Sequence, residues 1–423
     1  MSHVVFVESN TTGSGRLAVE RLLASGDRVT FLTRSPAKYP FLAAAPGLEV
    51  VEVDTNRRDA VAASVTAVGR RRTIDALLTF SEFYVETVAA LARHHGFPFL
   101  DPAVAARCRS KPATRRALRA AGLPTPDFHL VASEEEAAAL AETLSYPVVV
   151  KPPGDSSSTG VLRVEDPEAL LRQFRFLSSW RENVRGQPLS GEVLVESLLT
   201  GPEYSVETLT LPGGETRVLG VTDKHLSAPP HFVELGHDFP SAAPAGRRRA
   251  LEESASAALS AVGYDFGPAH TEVRWTAEGP VVVEINPRLA GGMIPELIEF
   301  ATGVDVLGAW LALLLGRPLD LQARRAGTAS IRFLTASRAG TIVHIDDRSA
   351  EEPLVRAVHI GREVGAQVKP AEDTYDRLGF VITAGPDREE TIRAADRARD
   401  LLRLEIDDGR GEVGRVASAG RPS

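Results

Sequence analysis

The sequence predicts a mixed fold in three parts: a parallel α/β domain, a larger α+β region and a small C-terminal α+β domain. Three observations predict it. Apolar strand-like runs alternate with helical stretches as far as His95, the pattern of a parallel sheet. Farther on, strand-like runs face each other across short turns, most clearly between 268 and 288. From about Leu319 four strand-like runs precede a single helix. A length of 423 residues with 43% hydrophobic and 25% charged residues suits an ordinary globular chain of two or three domains.

The elements follow in order. His3 to Glu8 is continuously apolar, as a strand buried on both faces should be. The turn Ser9 to Gly15 leads into a helix from Arg16 to Ala24. Val29–Thr33, Leu48–Val53 and Ile74–Phe80 complete the first sheet, with helices at 58–68 and 85–95. Gly13 and Gly15 open a partial GxGxxG pattern, but Ala18 fills its last position, so the dinucleotide match is weak, and both a tight turn at the sheet mouth and an anion or substrate site stay open. Asp101 to Leu123 reads as one basic helix. A strand at 128–131 follows, then a helix from Glu134 to Leu144 that Ser133 caps, with Glu136 completing a capping box. Strands are expected at 147–150, 193–196 and 218–222. The stretch from Ser227 to Ala245 reads as a long Pro- and His-bearing loop, and 247–262 as an amphipathic helix. Val304 to Leu315 contains Asp305 and reads as a buried helix. In the last part, strands at 330–334, 341–345, 354–359 and 379–384 precede the helix 388–401. The tail from 409 is expected to be disordered.

Bulk properties exclude some classes. A net charge of −8 argues against nucleic acid as a partner. No apolar run reaches the roughly 20 residues that span a bilayer, so no membrane partner is expected. One cysteine, Cys108, forbids an internal disulfide and fits a reducing cytoplasm. It lies between Arg107 and Arg109, and a structural role is favoured over a reactive one. The N-terminus carries no secretory-signal pattern.

Chemistry concentrates in one hairpin. Placing the turn at Thr276 to Pro280, with Pro280 outside the ladder, pairs Trp275 with Val281 and Glu272 with Glu284. His270, Glu272, Glu284 and Asn286 then share a face. Two opposed carboxylates repel unless a cation lies between them, and with an amide oxygen they suit a hard metal such as Mg2+. Lys151 ends a strand and opens Pro152-Pro153-Gly154-Asp155-Ser156-Ser157-Ser158-Thr159-Gly160, where small residues let backbone N–H groups approach phosphates. Glu196 and Glu203 flank a turn and could meet an adenine amino group and a ribose. Glu82 follows a strand end, where open sheets bind ligands.

Taken in sequence, the basic helix with Lys111, the Lys151 loop, Glu196 and Glu203, Glu272, and Glu284-Ile285-Asn286-Pro287-Arg288 resemble the ATP-grasp superfamily. His270-Thr271-Glu272 and Arg288-Leu289-Ala290-Gly291-Gly292-Met293-Ile294-Pro295 are most similar to the L-amino-acid ligases, which make dipeptides. The resemblance implies a pre-ATP-grasp domain at 1–104, a two-lobed ATP-grasp domain at 105–318 and a C-terminal ligase domain at 319–408. It implies that Lys111 and Lys151 bind phosphates, with Ser156, Ser157, Ser158 and Gly160 above them. Glu196 and the Leu199 backbone would form the adenine hinge, and Glu203 would hold the ribose. Glu272, Glu284 and Asn286 would bind Mg2+, or alternatively Mn2+. Arg288 and Lys224 would be catalytic, and Glu82, Glu234, His237, His270, Arg288, Gly291 and Gly292 would contact substrates, with Lys224, Glu234 and His237 in a substrate loop.

The implied reaction joins a small carboxylate to an amine through an acyl phosphate formed with ATP. His270, His237 and Glu82 are candidate general bases. A cytoplasmic homodimer is expected. The alternatives are a biotin-carboxylase-like enzyme and a non-catalytic ATP-binding regulator.

Overall fold

The structure, a computed structural model, describes residues 1–11, 13–43, 48–409 and 413–415. The tail expected to be disordered thus falls outside the described residues, apart from Gly409 and the strand Val413–Arg415. The same holds for Thr12 in the first turn.

The N-terminal domain is a four-stranded parallel sheet in the order Glu49–Glu52, Arg28–Thr33, His3–Val7, Ala76–Leu78. Its centre strand is buried on both faces, as its unbroken apolar run requires. Val5 and Val7 pack with Val61, Val65 and Val88 on one side. Val4 and Phe6 face the other side and join a core that includes Leu297, Trp310 and Ile331. The first domain is therefore fastened to the rest by apolar contact. Cys108 is buried, and burial pushes its thiol up to about 12, consistent with a packing role.

The predicted helix 101–123 is two helices, Pro102–Arg109 and Lys111–Ala120. Ser110 breaks it, because its side chain caps the second helix by accepting from the Ala113 N–H. Pro112 then falls in a first turn, where its missing N–H costs nothing. A second sheet, in the order Phe128–Val131, Val193–Ser197, Val148–Lys151, Leu162–Val164, forms the smaller lobe above the site. Helices Glu134–Ala141 and Pro167–Ser178 cover it.

The largest sheet has eight strands, running Gly279–Asn286, Gly267–Thr276, Glu203–Thr210, Thr216–Leu226, Glu234–Phe239, Thr328–Leu334, Gly379–Gly385, Val355–Ile360. Two expectations are corrected here. The loop expected at 227–245 contains the strand Glu234–Phe239, so Lys224, Glu234 and His237 lie on paired strands. The region after 319, expected to be separate, contributes three strands to this sheet, while Gln367–Val368, Gly340–Asp347, Leu402–Asp407 and Val413–Arg415 form a small sheet of their own. Among the described residues no single helix is long and apolar enough to cross a membrane. The apolar helix Val306–Leu314 is buried as expected.

One buried carboxyl here has no partner. Both Glu296 carboxylate oxygens, on helix Ile294–Thr302, are buried without a hydrogen bond, while nearby Arg21 is engaged by Glu299 and Asp305. Burial raises the group to about 7 from an ordinary 4.5. The folded state therefore holds a proton that the unfolded chain releases, so stability falls as pH rises from about 4.5 to 7. Glu296→Gln should raise the melting temperature at pH 8, by up to about 3 kcal/mol in stability, and change it little at pH 4.5. Equal shifts at both pH values in thermal melts would contradict this origin.

Candidate active site

The opposed carboxylates are present, although the turn that makes them is not the predicted one. Thr276 pairs with Gly279, so the loop is only Ala277 and Glu278, and Pro280 joins the ladder opposite Trp275. Pro280 is tolerated because its strand is at the sheet edge. A bulge at Val283 then restores the register, and Glu272 faces Glu284 while His270 faces Asn286. A second bulge, at Leu235, lets Glu234 and His237 both accompany Lys224, which pairs with His237 and with Glu203.

Each acid is held by a cation. Lys111 Nζ donates to Glu284 Oε1 at 2.8 Å and to the Asp155 carbonyl at 2.7 Å. Lys224 Nζ lies 2.8 Å from Glu272, 2.9 Å from Glu203 and 3.0 Å from Glu234, so one buried ammonium serves three carboxylates. His270 Nδ1 is 2.8 Å from Glu207 and Nε2 is 3.2 Å from Glu272. Burial alone would lower this imidazole, but Glu207 and Glu272 outweigh it and hold it up at about 9. The two flanking carboxylates thus favour the protonated ring.

Arg288 is anchored by Glu82, with Nη2 2.5 Å and Nε 2.9 Å from Oε2. Arg109 reaches the other oxygen at 2.7 Å, and the Asn286 amide nitrogen donates to Oε1 at 2.7 Å and Oε2 at 2.8 Å. Burial would raise Glu82, but Arg288, Arg109 and Lys111 outweigh it and bring it to about 2. Glu82 therefore positions Arg288 instead of meeting a substrate, and it is no base. The Asn286 orientation leaves the amide oxygen for a cation.

The Glu196 carboxylate, expected at an adenine, is taken up by Arg115 Nε at 2.8 Å and Lys151 at 2.5 Å. Arg115 also donates to the Val282 and Val283 carbonyls, at 3.2 and 2.7 Å, and so caps the edge strand carrying Glu284. Glu203 is shared by Lys224 and by Arg274, whose Nη1 donates to the Leu199 carbonyl at 3.1 Å.

These groups line one cleft of about 1260 Å³, partly open to solvent, between the eight-stranded sheet and the smaller lobe. Lys111, Lys151, Ser156, Ser157, Ser158, Glu196, Leu199, Glu203, Lys224, Glu234, His270, Glu272, Glu284, Asn286, Arg288, Gly291 and Gly292 all reach it. Gly160, Glu82 and His237 do not. Gly160 is a pivot of the loop: its φ is +69° and a Cβ would come within 2.7 Å of Leu177. His237 is buried with neither ring nitrogen hydrogen-bonded, and burial brings it down to about 3.

The two glycines differ. A Cβ at Gly291 would meet nothing within 4 Å, so the room expected there exists. At Gly292, with φ +61°, it would lie 2.6 Å from His237 Nε2, so that glycine serves packing. The sequence reading missed Arg115, Arg274, Phe232, Thr374 and Arg377. Arg115 was the most legible, one turn after Lys111 on the same helix face. Arg377 comes from the C-terminal region, and nothing near it in sequence marks it.

Two carboxylates facing each other across neighbouring strands, beside an amide oxygen, fit a hard divalent cation that would replace the two lysines as their counter-charge. Comparison with known proteins agrees with this geometry. Residues 144–296 match the ATP-grasp domain family and 332–407 the L-amino acid ligase C-terminal domain 2. A protein of Sinorhizobium fredii, uncharacterized protein y4rH, is 32% identical over 404 residues, 95% of this chain and 83% of that protein. A D-alanine–D-alanine ligase of Acidovorax ebreus is 28% identical over 251 residues, 56% of this chain and 72% of its own. The crystal structure of L-amino acid ligase from Bacillus licheniformis superposes with a TM-score of 0.81 at 25% identity, covering 96% of this chain and 99% of that one. The chain belongs to the ATP-grasp carboxylate–amine ligases and carries the C-terminal domain of the L-amino acid ligases.

Residues 11–71 also match an NAD(P)H-binding family. There the Asn10 side chain accepts from the Gly15 N–H at 2.9 Å, and the Met293 sulfur lies 3.2 Å from a Gly13 Cβ position. The helix start that would cradle a pyrophosphate is thus filled.

Gly292→Ala should lower the melting temperature by several degrees through the His237 clash and its positive φ, whereas Gly291→Ala should melt as the parent does. Indistinguishable melts for the two variants would overturn this division of roles.

Proposed function

We propose that the protein activates the carboxylate of an amino acid, or a related acid, as an acyl phosphate and joins it to an amine, forming an amide or dipeptide with ADP and phosphate. The observation that carries this reading is the pair Glu272 and Glu284, each already held by a lysine, with Arg288 fixed beside them. Lys111 and Lys151 bind ATP phosphates and Ser156 to Gly160 closes over them, with Ser156, Ser157 and Ser158 nearest. The backbone at 197–199 receives the adenine and Glu203 the ribose. Glu272, Glu284 and Asn286 hold Mg2+, or Mn2+, which supplies neutralisation of the charge developing on the phosphates.

A donor carboxylate oxygen attacks the γ-phosphorus and ADP departs. The amine nitrogen then attacks the acyl carbon and phosphate leaves. Arg288, oriented by Glu82, presents its remaining N–H groups to the donor carboxylate and then to the tetrahedral oxyanion. His270, an imidazolium, adds positive charge beside Glu272, and Lys224 releases Glu272 to reach the transferring phosphoryl group. None of the three candidate bases suits the task, so the departing phosphate takes the amine's proton. The C-terminal match supports this reading over a biotin-carboxylase-like one. We retain 1–104, 105–318 and 319–408 as functional divisions, and a cytoplasmic homodimer as the working assembly, to be checked by light scattering.

Phosphate release from ATP and Mg2+ across a matrix of amino acids, singly and in pairs, with mass spectrometry of positive wells, tests the reading. A product lighter by one water than the sum of two amino acids is expected. Release without any condensed product would refute it. Glu284→Gln and Arg288→Ala should each lower kcat by roughly 100- to 1,000-fold or more with the melting transition retained. Near-normal turnover by either variant would remove these roles.

A further inference from the structure

We propose that Arg377, from the C-terminal region, is the residue that binds the carboxylate of the amine-bearing substrate. This rests on the ligase reading and assigns one specificity-determining residue within it.

The cleft is lined by seven lysines and arginines: Lys111, Arg115, Lys151, Lys224, Arg274, Arg288 and Arg377. Six of them have a carboxylate within 3.0 Å: Lys111 at 2.8, Arg115 at 2.8, Lys151 at 2.5, Lys224 at 2.8, Arg274 at 3.0 and Arg288 at 2.5 Å. Arg377 is the exception among the described residues. Its nearest carboxylate is Glu234 at 3.5 Å, through Nη1 alone, and Glu234 is already paired with Lys224 at 3.0 Å. Among the described residues Nη2 has no hydrogen-bond partner. Arg377 is part-buried, with 16% of its side chain exposed, and it lines the cleft, so its uncommitted N–H groups are open to an incoming anion.

The edge is also preorganised. The guanidinium lies 3.9 Å from the centroid of the Phe333 ring, and Nε donates to the Thr374 carbonyl at 3.1 Å. Stacking and that bond fix the plane and leave its outer edge for a planar, bidentate acceptor, which a carboxylate is. Nearby Asp373 does not line the cleft, and its side chain accepts from the Tyr375 N–H at 2.8 Å.

Position favours the acceptor over the donor. The donor carboxylate belongs beside Arg288 and Glu284, where phosphoryl transfer occurs. Arg377 is linked to Lys224 through Glu234 and lines the same cleft as Gly291, where a Cβ would meet nothing within 4 Å. The segment also touches the phosphate loop, where the Thr374 N–H donates to the Ser157 carbonyl at 3.3 Å. Acceptor and loop can thus be held by one turn of chain.

The test separates the two half-reactions. Hydroxylamine, an amine without a carboxylate, traps the acyl phosphate as a hydroxamate and reports donor activation alone. The twenty amino acids and their carboxamides then serve as acceptors. Wild type should use free acids at least 10-fold better than carboxamides in kcat/KM. Arg377→Ala should raise the acceptor KM by 10- to 100-fold and erase that preference, with hydroxamate formation reduced no more than threefold. Arg377→Lys should recover part of the loss. Equal use of acids and carboxamides by wild type overturns the proposal. So does a variant whose main defect is in ATP KM or in hydroxamate formation, which would place Arg377 at the phosphates or the donor. Absence of hydroxamate from wild type across all donors overturns the ligase reading itself and this proposal with it.

Discussion

The constraint on which the site depends is like-charge repulsion between Glu272 and Glu284. Directly opposed side chains on paired strands bring their Cβ atoms to about 5 Å. At the effective dielectric of a partly buried site, two such charges repel by about 3 kcal/mol. The fold tolerates this because each acid meets an ammonium, Glu284 that of Lys111 at a helix start and Glu272 that of Lys224, which it shares with Glu203 and Glu234. The counter-charges come from outside the hairpin, Lys111 from a helix packed on its edge strand and Lys224 from a strand of the same sheet one strand removed.

The same logic spreads outward. Lys111 reaches Glu284 only because Ser110 ends one helix and begins another. One turn on, Arg115 is fully buried, pairs with Glu196 and satisfies two carbonyls of the strand that holds Glu284. Glu196 in turn fixes Lys151 below the serine loop. Buried ion pairs of this kind add little net stability over apolar packing, but removing one partner strands a charge and costs several kcal/mol. Their value here is positional: they hold lysines, acids and Arg288 in register before any ligand arrives.

Much of this was legible in the sequence. Strand and helix order, the Lys151 loop and the facing acids followed from periodicity, from strand-end residues and from the improbability of two unpaired carboxylates. The pairing of Glu272 with Glu284 was reached through a turn that is not there. The real loop is two residues shorter at the Pro280 end than assumed, and the bulge at Val283 compensates. Bulges obey local packing and leave no reliable mark in a strand pattern, which is also why Glu234 was read as a loop residue. The Asp101 to Leu123 break was missed because Ser110 and Pro112 read as helix interior until the cap is seen. Glu196 and Glu82 were given to ligands because carboxylates at strand ends are ambiguous. Only the arginines that reach them, Arg115, Arg109 and Arg288, decide the matter.

What no local reading could supply was the contribution of the C-terminal region. The eight-stranded sheet runs without interruption from Glu284's strand to Val355–Ile360, so residues almost a hundred positions apart share one cleft. The wall carrying Lys111, Lys151 and the serine loop comes from the second part of the chain, and Thr374 and Arg377 are added from the third. This division separates two demands. Lys111, Glu272 and Glu284 are held by short ion pairs, whereas Arg377 joins that network only at its margin, through the 3.5 Å contact with Glu234. On the proposed reading, substitutions at Arg377 would act on the acceptor while leaving the direct partners of Lys111 and Glu284 in place. A ligase built this way can hold its activation step constant while its substrate range drifts.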